Sequence, residues 1–315
     1  MPTTYGVATE AKISETIACC QRHGARSIVA LAGVPGTGKS FVAGIAAQRL
    51  ASDPLMVREI QFHPTFSYEE FIEGYRATAS GGFAVEKGLF LEWNDLALDD
   101  PTNTYVLLIE ELTRANLPAV LGELMTYVEH RERTFTTVYS RRPILIAPNL
   151  VILATLNPRD RSALELDDAL LRRLRLISFP PDNSQLREML AGRGLGSPVL
   201  DRLSQLFDEC RREFAGDFEA LMPFGHGIFA EITAEAPDLF DLWKQRISPL
   251  LHPPGRQPHP FAELIERHYA WQTADARVPI AAAISPAAAA AVGAGTSSEP
   301  APIRADISGS SARST

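Results

Sequence analysis

Residues 33 to 40 read Gly33, Val34, Pro35, Gly36, Thr37, Gly38, Lys39 and Ser40, three glycines followed by a cation and a hydroxyl. Glycine has no Cβ, so the backbone can fold tightly enough to aim successive N–H groups at one anion. Lys39 is then placed for the β and γ phosphates of a nucleotide, and the Ser40 hydroxyl is a hard oxygen ligand suited to Mg2+. With Phe41, which opens the next helical stretch, residues 33 to 41 form the candidate nucleotide-binding set. The second chemical feature is a pair of acids, Glu110 and Glu111, closing the apolar run TYVLLIEE. In phosphoryl transfer one such carboxylate serves the metal and the other polarises the attacking water. Neighbouring strand residues point to opposite faces, so the roles divide: Glu110 to the metal beside Ser40, Glu111 to general-base work. A glutamate at the metal position, where aspartate is commoner, moves the carboxylate by about 1.5 Å unless the backbone adjusts.

These groups need a scaffold that brings strand ends and a helix start together. SIVALAG (27 to 33), MVREIQF (56 to 62), TYVLLIE (104 to 110) and LVILATL (150 to 156) have the apolar, β-branched content of buried strands, with ISF (177 to 179) as a fifth candidate. Amphipathic stretches between them predict helices after Lys39, after Ser67 and over NLPAVLGELMTYVEHR. Ser67 and Glu70 form a capping box, and Asn116 caps the last of these, with Pro118 tolerated in the first turn. RTFTTVYSRRPILIAP (133 to 148) reads as a hairpin ahead of the fourth strand. The fold class is therefore α/β, a parallel sheet with flanking helices. From about Gln185 the pattern turns all-helical. The expected domains are an α/β nucleotide-binding unit over 1–183, a helical lid over 184–272, and a disordered tail rich in Ala, Pro and Ser over 273–315.

Bulk properties narrow the class of function. The 315 residues carry a net charge of -8, which argues against gripping nucleic acid through bulk electrostatics. Three cysteines do not make a disulfide framework, and a reducing compartment fits. The first residues lack the basic start and apolar core of a signal peptide, and no run reaches the ~18 apolar residues of a membrane span. A cytoplasmic protein that does not enter membranes is expected.

Further blocks of sequence are more specific than the phosphate loop alone. QFHPTFSYEEFIEGYR (61 to 76), KGLFLEW, EELTRANLPAVLGELMTYVEHR, LATLNPRDRSALELDDALLRRL and FGHGIF followed by DLWKQRISPLL occur in one order. From residue 33 to about 270 the chain resembles the McrB-type branch of the AAA+ P-loop NTPases, with its dynein-related and MoxR-like relatives. The best-known members drive modification-dependent DNA restriction. The resemblance implies that Asn157 is the polar sensor of the γ-phosphate, followed by the charged pair Asp160 and Arg161. Pro158 and Arg159 depart from that pattern, since smaller residues are usual there. It implies that Arg172 and Arg173 reach a neighbouring subunit's γ-phosphate, that His226 contacts nucleotide from the lid, and that Glu123 with Arg131, Arg133, Arg141 and Arg142 faces a pore or partner. The substrate implied is ATP or GTP with Mg2+. The resemblance also implies assembly into a ring, a hexamer in the family, and a separately encoded partner such as a nuclease. DNA would be met only through that partner or the pore. A MoxR-like protein-remodelling motor and a nucleotide-gated scaffold with little turnover are the alternatives.

Overall fold

A computed structural model of the chain describes residues 6–79, 81–160, 168–195, 197–213, 222–232, 239–255 and 257–269. Arg161 and the expected tail from residue 273 lie outside them.

The chain opens with helix α1 (Val7–His23), then strand β1 (Ile28–Ala32) and helix α2 (Lys39–Leu50), which starts at the lysine of the phosphate loop. Strand β2 (Val57–Gln61) is followed by a short helix α3 (Tyr68–Phe71) and an antiparallel hairpin of β3 (Glu73–Ala77) and β4 (Phe83–Lys87). Helix α4 (Leu89–Asp99), strand β5 (Tyr105–Glu110) and the short helices α5 (Leu117–Leu121) and α6 (Leu124–Tyr127) come next. A second hairpin, β6 (Phe135–Thr136) and β7 (Pro143–Ile144), precedes strand β8 (Leu150–Leu156). Helix α7 (Asp168–Arg173) runs directly into strand β9 (Leu174–Ser178). The long strands form one five-stranded parallel sheet in the order β2-β5-β8-β1-β9.

The two-residue period of the strands decides which side chains meet which helices. On β5, Leu107 and Ile109 join Phe71, Phe90 and Ile152 on one face. Val106 and Leu108 point the other way, into a cluster with Ile13, Val42, Ala43 and Leu153 from α1, α2 and β8. Continuing that parity sends Glu110 toward α2.

Four differences from the sequence reading have physical causes. The capping box at Ser67 and Glu70 forms, but α3 lasts one turn, because Glu73 to Lys87 instead makes the β3–β4 ladder. The helix expected over 116 to 131 is broken at Gly122, whose φ of 50 and ψ of -126 no helix allows. A side chain there would meet the Tyr68 ring at 2.7 Å, so the break lets α3 pack close. The fifth strand begins at Leu174, three residues earlier than the apolar ISF suggests. Arg131, read as facing a pore or partner, is buried: its guanidinium donates to the carbonyls of Ala147 (2.9 Å), Leu150 (2.6 Å) and Gly24 (2.9 Å). Burial lowers its pKa to about 10.

A third apolar cluster gathers Leu186, Phe207, Phe224, Phe229, Leu251 and Ile265. It is built by helices α8 (Asn183–Ala191), α9 (Ser197–Glu213), α10 (Leu239–Leu242), α11 (Ser248–Leu251) and α12 (Ala262–Tyr269), with a 3-10 turn over His226–Glu231. No helix among the described residues is long and apolar enough to cross a membrane.

Candidate nucleotide site

The phosphate loop joins the end of β1 to the start of α2, and its special backbone is where the glycines are. Gly36 and Gly38 have φ of 80 and 82, a left-handed conformation that other residues resist. Thr37 braces the loop from inside by donating to the Val34 carbonyl at 3.0 Å. Lys39 is buried to 8% exposure and its ammonium donates to the same carbonyl at 3.0 Å. Burial lowers the Lys39 pKa, while Glu111, Glu110 and Asp160 act in the opposite direction.

Opposite the loop, Glu110 and Glu111 are separated by backbone geometry as well as by parity. The Ser40 hydroxyl donates to Glu110 Oε2 at 2.7 Å, so the extra methylene of glutamate does not prevent contact with α2. Thr155 on β8 bridges the pair: its hydroxyl donates to Glu110 Oε2 at 2.5 Å and accepts from the Glu111 N–H at 3.1 Å. Glu111 itself has φ 55 and ψ 46. A non-glycine residue held there carries strain on the order of 1–3 kcal/mol, which turns its side chain off the strand direction. Glu111 Oε2 is buried and accepts no hydrogen bond, with Arg114 Nε at 3.6 Å. Ser40 with Glu110 supplies the oxygen donors that Mg2+ prefers. The residues present therefore fit a magnesium–triphosphate.

Beyond β8, the turn that the resemblance reads as a sensor is closed on itself. Asn157 Nδ2 donates to Asp160 Oδ1 at 3.1 Å, and the Arg159 N–H donates to Asn157 Oδ1 at 3.1 Å. Asp160 Oδ2 accepts from Thr113 at 3.1 Å and lies 3.4 Å from Arg114 Nε. Arg114 thus connects the sensor turn to Glu111. Sequence reasoning singled out neither Arg114 nor Thr155, although both lie within motif blocks it used.

The helical unit closes the other side. The Gly225 N–H donates to the Pro35 carbonyl at 2.8 Å and the Gly227 N–H to the Gly36 carbonyl at 2.6 Å. His226 between them is 5% exposed and accepts at Nδ1 from the Asp182 N–H at 3.3 Å. Burial pushes its pKa down to about 4, against the pull of Asp182. The neutral ring then carries its proton on Nε2, 3.8 Å from where a side chain at Gly38 would begin.

A cavity of about 400 Å³ continues from this point, lined among others by Thr9, Gly38, Phe41, Gln185, Glu188 and His226. That size suits a nucleoside. Its N-terminal wall was not anticipated: α1 is anchored there because Glu188 accepts from the N–H groups of Ala8 (2.7 Å) and Thr9 (3.4 Å), which have no partner within the helix. Arg172 and Arg173 stand apart from these groups. They end α7 and pair with Glu129, at 3.6 Å and 3.3 Å. Glu123 accepts from the Tyr68 hydroxyl at 3.0 Å.

A five-stranded parallel sheet with a phosphate loop before α2 and acids ending the neighbouring strand defines a P-loop nucleotide-binding protein. Residues 28–174 match the family model described as AAA domain (dynein-related subfamily), so that stretch of the chain is similar to that family. Within it, the likeness lies with the McrB type. The chain is 33% identical over 215 residues to the type IV methyl-directed restriction enzyme EcoKMcrB subunit of Escherichia coli (strain K12), covering 64% of this chain and 47% of that protein. It is 24% identical over 183 residues to the type II restriction enzyme BsuMI component YdiS of Bacillus subtilis (strain 168), covering 45% of this chain and 53% of that one. The chain thus spans about half the length of these curated relatives. Among solved structures, NtrX from Brucella abortus matches with a TM-score of 0.41 and 11% identity over 88% of this chain and 54% of that one, too distant to carry an argument.

Proposed function

We propose that this chain is the nucleoside-triphosphatase subunit of a restriction or defence system, a ring-forming motor that hydrolyses ATP or GTP and works with a separately encoded partner, a nuclease being the natural candidate. The observation that carries the reading is the bridge Ser40–Glu110–Thr155–Glu111, which places a metal-type carboxylate and a strained, hydrogen-bond-poor carboxylate opposite one phosphate loop. The relatives' printed roles in restriction enzymes support the biological setting.

In this reading the nest of residues 33 to 38 and Lys39 hold the triphosphate, and the neutral His226 donates to it from the helical unit. Magnesium held by Ser40 and Glu110 would neutralise charge on the β and γ phosphates. Glu111 takes the proton of the attacking water, and Asn157 fixes the γ-phosphate with a donor that never changes charge. The base occupies the cavity between α1 and α8. Arg172 and Arg173 act on the γ-phosphate of the next subunit, where planar guanidinium groups stabilise the spreading charge.

The test is a phosphate-release assay with ATP and GTP over a range of protein concentrations, with Arg172→Ala/Arg173→Ala mixed into wild type. The reading expects turnover that rises steeply with concentration and is poisoned by the variant. A rate per subunit that is independent of both would remove the ring and the trans arginines from the account.

A further inference from the structure

Arg159 has no role in the chemistry described above, and it is one of the two residues at which the chain departs from its family's sensor pattern. Its backbone N–H fixes the Asn157 amide by donating to Oδ1 at 3.1 Å, which settles the flip that directs Nδ2 to Asp160. Its guanidinium reaches in the opposite direction, into the helical unit. Nη1 donates to the Met222 carbonyl at 3.1 Å, and Nη2 meets His259 Nε2 at 3.1 Å. A guanidinium has only donors, so this contact requires a neutral ring with Nε2 unprotonated; the proton then sits on Nδ1, toward which the Phe261 N–H also points at 3.2 Å, and only one of the two contacts is a hydrogen bond in a given tautomer. Burial first, and the guanidinium second, hold the His259 pKa down at about 4.

Besides the bonds from Glu188 to the start of α1, the helical unit is attached around the site in two ways. One attachment is made of backbone hydrogen bonds from Gly225 and Gly227 to Pro35 and Gly36 of the phosphate loop. The other is the Arg159 side chain, which grips the chain at Met222, just before the Phe224–Phe229 segment, and again at His259 ahead of α12. The first attachment pivots with the phosphate loop. The second moves with the sensor turn, because residue 159 is held between Asn157 and Asp160, whose side chains are bonded to each other.

We propose that Arg159 is a positioning residue that couples the sensor turn to the helical unit of the same subunit, so that whatever Asn157 reads at the γ-phosphate sets how firmly that unit is held. The proposal rests on the reading of Asn157 as γ-phosphate sensor. A loss of phosphate that relaxes the turn carries the guanidinium away from Met222 and His259, and the helical unit is then held less firmly, by its phosphate-loop contacts and the Glu188 bonds to α1.

The test is amide hydrogen exchange on the full chain, comparing residues 222–232 and 257–265 with MgADP and with the magnesium complex of the β,γ-imido analogue of ATP, and the same with the guanine pair. Wild type should exchange about tenfold more slowly with the triphosphate analogue, and Arg159→Ala should abolish that difference while binding the analogue within about threefold of wild type. Because both ligand states are compared within one variant, a general loosening of the structure cancels. Asn157→Ala should abolish the difference as well. If Arg159→Ala keeps the difference and Asn157→Ala loses it, the coupling through Arg159 is overturned and the sensor reading stands. If Asn157→Ala keeps it, the sensor reading fails and this proposal with it. A wild type indifferent to the two ligands also overturns the coupling.

Discussion

Arg173 Nε lies 3.3 Å from Glu129 Oε2, and this ion pair is largely shielded, the arginine side chain being only 11% exposed. Arg172, far more exposed, approaches the same oxygen at 3.6 Å. Glu129 thus holds both arginines that end α7. Replacing it with glutamine should lower turnover of the assembled protein roughly threefold to tenfold, the scale of losing about 1 kcal/mol of ion pairing. Nucleotide affinity should not change. Steady-state kinetics beside a fluorescent-nucleotide titration checks both, and a fall in affinity equal to the fall in turnover would count against an aiming role.

The general-base assignment separates binding from chemistry. Glu111→Gln keeps the shape and the backbone N–H bond to Thr155 but has no basic oxygen pair. Turnover should fall by about two orders of magnitude or more, with triphosphate affinity within a few-fold of wild type. Single-turnover phosphate release measures the first and equilibrium binding the second.

Thr155 has both its hydroxyl functions engaged by the acidic pair. Thr155→Val removes a donor from Glu110 and an acceptor from the Glu111 N–H in a buried place, which should cost about 1–3 kcal/mol of stability. It should also weaken the magnesium dependence of nucleotide binding. Denaturant titration gives the first quantity, and nucleotide affinity as a function of Mg2+ the second.

The buried histidine predicts a direction for acid sensitivity. The folded-state pKa of His226 is depressed to about 4 from 6.5, so its contribution is fully present above about pH 6.5 and is lost as pH falls toward 4. By linkage one such group loses roughly 1–2 kcal/mol between pH 7.5 and pH 5. His226→Gln should flatten that part of the stability profile, measured as the thermal midpoint at the two pH values. A variant as acid-sensitive as wild type would mean that the ring does not titrate in this way.

The site was more legible in the sequence than the elements around it, for a physical reason. Chemistry demands residue types at fixed spacings, as in Gly33 to Ser40 and Glu110–Glu111, and strand parity then decides their faces. What the sequence hid depends on tertiary competition. The run after Ser67 has a helix start in its capping box, but the ladder from Glu73 to Lys87 outcompetes a longer helix. Gly122 looks like a tolerable helix glycine until Tyr68 is packed beside it. Arg131 reads as a surface charge because the three carbonyls it meets, from remote positions, leave no mark on the sequence. The cavity wall formed by α1 depends on Glu188 meeting Ala8 and Thr9 from some 180 residues away, beyond any local pattern.

All of these arguments depend on the loop of residues 33 to 40 holding a triphosphate opposite the two acids. Calorimetric titration of the full chain with ATP and with GTP in the presence of Mg2+, repeated with Lys39→Ala, tests this directly. The wild type should bind at least one of them, and the variant should bind it at least tenfold more weakly, consistent with the loss of a charge-assisted contact. Equal affinity in both proteins, or no binding in either, would contradict it.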